Sequence, residues 1–86
     1  DTVYVLSMRY GDGDSFGHAS GKGEVLWVFH EKILAEKALE RIEGNPESYN
    51  ITVYDECLNE FTIHNPASDY FSSIEGLFIE EFVVEP

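Results

Sequence analysis

EVLWVFHEKILAEKALERIEG, residues 24–44, changes its hydrophobic period in mid-course, and that change decides the fold class. Residues 24–29 form a near-continuous apolar run of strand length, the pattern of a central strand covered on both faces. Beyond His30 the period lengthens. Leu34, Ala35, Ala38, Leu39 and Ile42 fall on one stripe, while Glu31, Lys32, Glu36, Lys37, Glu40 and Arg41 lie mostly on the other. The spacing predicts an amphipathic helix of about three to four turns with a mixed, solvated outer face. Gly44 is expected to cap it, and Pro46 follows as a stop.

Outward from this stretch the pattern is that of strands. TVYVLSMRY, residues 2–10, places Tyr4, Leu6, Met8 and Tyr10 on one face and Val3, Val5, Ser7 and Arg9 on the other, so it is expected to be buried mainly on one side. NITVYDE (50–56) and FTIHN (61–65) alternate and are joined by residues 57–60, which predicts a hairpin. NPASDYFSSIEG is rich in turn formers, with one helical turn expected around Asp69 to Ile74, and LFIEEFVVE (77–85) reads as a final strand. The expected architecture is α+β: a single domain over residues 1–86, with a mostly antiparallel sheet of four to five strands, order ββαβββ, and one helix packed on one face.

Composition bounds the function. Eighty-six residues support one modest core, with 43% apolar and 14% aromatic residues, too many core formers for a disordered chain. Cys57 is the only cysteine, so no disulfide within these residues is expected; no membrane-length apolar run is present, and no signal peptide is expected from these residues. A reducing, cytoplasmic setting is the expectation. With 17 acidic against 5 basic residues the net charge is −12, on a body expected to have a radius of gyration of about 11 to 12 Å, and such a field repels nucleic acid and anionic membranes alike. The charge is also lopsided. Every Lys and Arg lies at or before Arg41: residues 1–41 carry 7 acids and 5 bases, residues 42–86 carry 10 acids and no base.

Catalytic and metal signatures are incomplete. YGDGDSFGHASGKGE, residues 10–24, grazes three site patterns. As a calcium loop it has Asp12, Asp14 and Gly17 in register, but Gly23 stands where a bidentate Glu is required, and strands flank it instead of helices. As a phosphate loop or a dinucleotide fingerprint it lacks the following helix, and Asp12 and Asp14 repel phosphate. Ser15 and His18 have no orienting third group. A long hairpin loop is the simpler reading, its glycines supplying turns. His18, His30, His64 and Cys57 show no ligand spacing, and the acids are too dense for any pair to stand out as catalytic. No cofactor, metal or catalytic residue is expected, and the chain reads as a non-enzyme.

Solubility accounts for part of the charge, but not for the complete absence of bases over 45 residues, where interspersed bases would relieve repulsion. The expected partner-binding residues are therefore the acids of that half. They are Glu43 and Glu47 at the helix exit, Asp55, Glu56 and Glu60 on the hairpin, Asp69 and Glu75 on the connector, and Glu80, Glu81 and Glu85 on and after the last strand. Glu80 and Glu81 face opposite sides, so one of them joins a row with Phe78, Phe82 and Val84. Tyr49, Tyr54, Tyr70, Phe71 and Phe78 are the candidate aromatic anchors.

In layout, VYVLSMRY, a Gly- and Asp-rich loop, EVLWVF, LAEKALERIE and a terminal EGLFIEEFVVE together resemble small accessory proteins of tailed bacteriophages. The resemblance implies a compact α+β domain acting in a bacterial host cytoplasm. The acidic composition is similar to that of phage inhibitors that mimic DNA. Together these lead to an expected non-enzymatic inhibitor that binds a basic, nucleic-acid-handling or defence protein of the host, without touching nucleic acid or membrane itself. The second expectation is an adaptor or subunit that pairs through a sheet edge, its charge serving solubility. A third is an enzyme or small-ligand binder built on the 10–24 loop. An exposed final strand would also permit a two-fold homodimer.

Overall fold

A computed structural model describes residues 1–11, 22–69 and 73–85. Asp12, Asp14, Ser15 and His18 of the loop, together with Tyr70 and Phe71, lie outside the described residues. The elements are β1 (Thr2–Tyr10), β2 (Lys22–Phe29), α1 (Lys32–Gly44), β3 (Asn50–Tyr54), β4 (Glu60–His64), α2 (Pro66–Asp69) and β5 (Ile74–Val83). The fold is α+β and all strand pairs are antiparallel.

Among the described residues five strands form two sheets instead of one, a three-stranded sheet in the order β2-β1-β5 and a two-stranded ribbon, β3-β4. The body is correspondingly long, 45 × 28 × 15 Å, with a radius of gyration of 13.8 Å, larger than a compact chain of this length. β1 is the central strand and is buried on one side: Leu6, Met8 and Tyr10 point into the core. β2, whose apolar run suggested a central position, is an edge strand. An unbroken apolar run registers hydrophobicity on both faces, but not whether the chain supplies a layer to cover them.

Helix α1 supplies one such layer. Leu34, Ala35, Ala38 and Ile42 are buried against Leu6, Met8 and Phe29 of the sheet and against Ile51, Val53 and Ile63 of the ribbon. Ala35 and Ala38 let the helix approach closely, and each large apolar side chain sealed here contributes about 1.5–3 kcal/mol. Arg41 donates through Nε and Nη2 to the carbonyl of Thr52, at 3.3 and 3.1 Å, which ties α1 to β3. The ribbon leans on the β2 edge through ring contacts of Phe61 with Trp27 and Phe29.

One local expectation needs correction. Asn45, not Gly44, caps α1: its side-chain amide donates to the Arg41 carbonyl at 3.0 Å, so no left-handed glycine is needed. A helical turn lies at Pro66–Asp69; the turn expected around Asp69 to Ile74 falls largely outside the described residues. Asn65 nucleates it. Its Oδ1 accepts from the Ala67 N–H at 3.1 Å, and Pro66 supplies a preset φ at the first helical position. Buried Asn65 also donates to the carbonyls of Pro46 and Ser48, at 2.9 and 3.1 Å, sealing the end of the core.

Candidate functional site

Residues paired across antiparallel strands share a face, so the register defines what each side of the three-stranded sheet presents. The side away from α1 carries four rows. Val3 pairs with Phe82; Val28, Val5 and Glu80 form the next row, then Val25, Ser7 and Phe78, then Gly23, Arg9 and Gly76. Among the described residues no element lies over this side. Val25 is 58% exposed, Val28 46%, Phe78 46% and Phe82 49%. A bulge in β2 between the partners of Leu6 and Ser7 absorbs Leu26 and keeps Val25 and Val28 on this common face.

The last row makes a depression. Gly23 beside Arg9 leaves a shallow hollow of about 410 Å³, bordered by Ser7, Val25, Phe78 and Glu80. A Cβ built on Gly76 would sit 2.8 Å from Cζ of Phe78, so the phenyl ring lies over the glycine and forms one wall.

The acids of residues 42–86 occupy several places instead of one row. Glu43 and Glu75 are brought together, lining a hollow of about 310 Å³ with Pro46 and Leu77. Glu47 is exposed in the turn after α1, and Glu85 beyond β5. Glu80 and Glu81 do face opposite sides, and Glu80 is the one that joins Phe78 and Phe82. Glu56 and Glu60 stand exposed at the hairpin, where exposed Tyr54 ends β3 beside Lys37 and Arg41. Two acids have structural work. Asp55 binds the hairpin tip, accepting from the Asn59 side chain at 2.9 Å and from the backbone N–H groups of Asn59 and Cys57 at 2.8 and 2.9 Å. Those bonds, the Asn59 side chain first, hold its carboxyl below the ordinary value. Asp69 meets His64 Nε2 at 2.7 Å.

Among the described residues no carboxylate lies within ion-pair distance of a Lys or Arg; the His64–Asp69 contact is the one pair. The opposite charges along α1 stay solvated. His64 resembles half of a catalytic dyad, but its second ring nitrogen, Nδ1, faces Asn50 Oδ1 at 3.4 Å and its ring packs against Tyr49 at 4.4 Å between centroids, so neither nitrogen addresses a nucleophile. Cys57 is exposed on the hairpin. Among the described residues no three His, Cys, Asp or Glu side chains are grouped to hold a metal ion, and no helix is long and apolar enough to cross a membrane.

The one-sided burial of β1 and a row of Phe78 and Phe82 with a glutamate were expected from the sequence; what sequence reading missed is that Val25 and Val28 of β2, which looked like core, join this open face. The available signal was a count of layers: a strand apolar on both sides, in a chain with a single long helix. In comparisons with known proteins, no family model, no curated protein and no solved structure matches this chain.

Proposed function

We propose that this chain is a non-enzymatic acidic binding protein that occupies the nucleic-acid site of a basic DNA- or RNA-handling protein. One observation carries the reading: ten acids and no base over residues 42–86, with no carboxylate among the described residues paired to Lys or Arg. Unpaired, exposed carboxylates keep their full attraction for a basic groove, steer its approach and lose grip as salt rises. The Glu43–Glu75 hollow and the hairpin acids Glu56 and Glu60 act as phosphate substitutes, and Tyr54 supplies an apolar anchor beside them. The resemblance to phage accessory proteins makes a bacterial host enzyme the expected target.

The test is retention of bacterial proteins on the immobilised chain at low and at physiological salt. The reading expects a nucleic-acid-binding protein that is released by salt, displaced by DNA, and lost on Glu43→Lys with Glu75→Lys. Retention indifferent to salt and to both substitutions removes the mimic and leaves an adaptor.

A further inference from the structure

We infer that the open face of the β2-β1-β5 sheet pairs with the same face of a second copy of this chain around a two-fold axis. This inference is independent of the mimic reading.

Three observations select a second copy as the occupant. The first is charge. The chain carries −12, yet among the described strand residues this face holds one base, Arg9, and one acid, Glu80, and is otherwise apolar or small. It is the side on which two polyanions can approach with least repulsion, and a basic partner would find little to bind there. The second is shape. A two-fold interface must be self-complementary. Bulky Phe82 and Val3 stand at one end of the face, and the hollow beside Gly23 and Arg9 lies at the other. An axis across the strands lays Val3 of one copy over Arg9 of the other, sets Phe82 against the opposite Phe78 ring where it covers Gly76, and brings each Arg9 toward the opposite copy's Glu80. The third is pattern. β1, β2 and β5 carry large apolar residues on both faces, as layered sheets do, and α1 covers only one. Stacking two copies at the usual sheet spacing of about 10 Å completes an α/β/β/α sandwich.

The rows span about 24 × 14 Å, well under the roughly 800 Å² per partner of a standard interface, so a weak, transient dimer is expected. Repulsion between two −12 bodies gives it a distinctive salt response. Screening length falls from about 30 Å at 0.01 M salt to about 8 Å at 0.15 M, so added salt strengthens the dimer by an expected ten-fold or more. Mimic binding responds with the opposite sign, which keeps the two ideas separable.

The experiment is sedimentation equilibrium of the full chain at about 10 and 300 mM sodium chloride. The expected result is a shift from 9.8 kDa toward twice that mass as salt and concentration rise. Phe82→Lys should abolish the shift with an unchanged circular dichroism spectrum, because the residue lies outside the core. Arg9→Glu should weaken the dimer about ten-fold, and adding Glu80→Arg, which restores the net charge and re-forms the cross-copy pair, should recover it. A monomer at every salt and concentration overturns the inference, as does a dimer that ignores Phe82→Lys or weakens with salt. So does a basic protein whose capture depends on Phe82.

Discussion

β1 has two sides made from the same nine residues, and they have opposite fates. Leu6, Met8 and Tyr10 sit in a sealed core; Val3, Val5, Ser7 and Arg9, alternating with them, face outward beside Phe78 and Phe82. Side-chain character separates the two sides only in part, since Val3 and Val5 are as apolar as the buried set while Ser7 and Arg9 are not. The separation comes from what the rest of the chain places over them, so the stability of the monomer belongs to one face and its capacity for association to the other.

The sharpest way to break that contrast is to delete matching rings. Phe29→Ala, on the covered face, should destabilise by about 3–5 kcal/mol in urea unfolding, and Phe82→Ala, on the open face, by less than about 1 kcal/mol for the monomer. Equal losses would mean that the second face is covered too. Next in size is Asn65→Ala, expected to cost about 2–3 kcal/mol, because the carbonyls of Pro46 and Ser48 and the N–H of Ala67 lose a buried partner. A loss under 0.5 kcal/mol would show that water reaches this end of the core.

Smaller effects sharpen the contrast between the sheet and the ribbon. Leu58, 80% exposed at the hairpin tip, is held at φ 62°, where leucine is strained. Leu58→Gly relieves that strain and offsets the added freedom of the unfolded chain, for a net gain of about 0.5 kcal/mol, or roughly 2–4 °C in Tm. Gly76→Ala should change monomer stability by less than about 0.5 kcal/mol, since the exposed Phe78 ring can swing aside, but it should weaken dimerisation several-fold. The smallest effect concerns Asp55. Its carboxyl is depressed when folded, so its contribution is complete above the unfolded value of 3.8 and is lost as pH falls through the lower folded value. The protection of the Asn59 amide relative to its intrinsic exchange rate should fall only in that acidic window, and Asp55→Asn should remove that change in protection.

The elements with a strong period were legible in the sequence: α1 from its 3.6-residue stripe, β1 from its alternation, and the β3-β4 hairpin from two short alternating runs. The division into two sheets was not, because pairing partners are set by tertiary packing, and Phe61 meets Trp27 and Phe29 through rings without any backbone ladder. The helical turn after Asn65 was not legible because its cause is a buried amide that bonds across 19 residues to Pro46. At the candidate site, the opposition of Glu80 and Glu81 followed from strand parity alone. The Glu43–Glu75 hollow and the glycine-flanked Arg9 depend on register, which no local pattern specifies.

The pairing of β1 with β5 has a consequence in time. Thr2 sits opposite Val83, so the strand that is central in the finished sheet must wait for a partner about eighty positions along the chain. Closing so long a loop places folding among the slow, non-local topologies, in the millisecond to second range. Until β5 docks, the β1–β2 hairpin has neither its second neighbour nor a complete core, and both of its faces are adhesive. A chain carrying −12 repels its own copies through that interval, most strongly when salt is low. The same charge that is proposed to capture a basic partner would then also guard a slow assembly against premature contact.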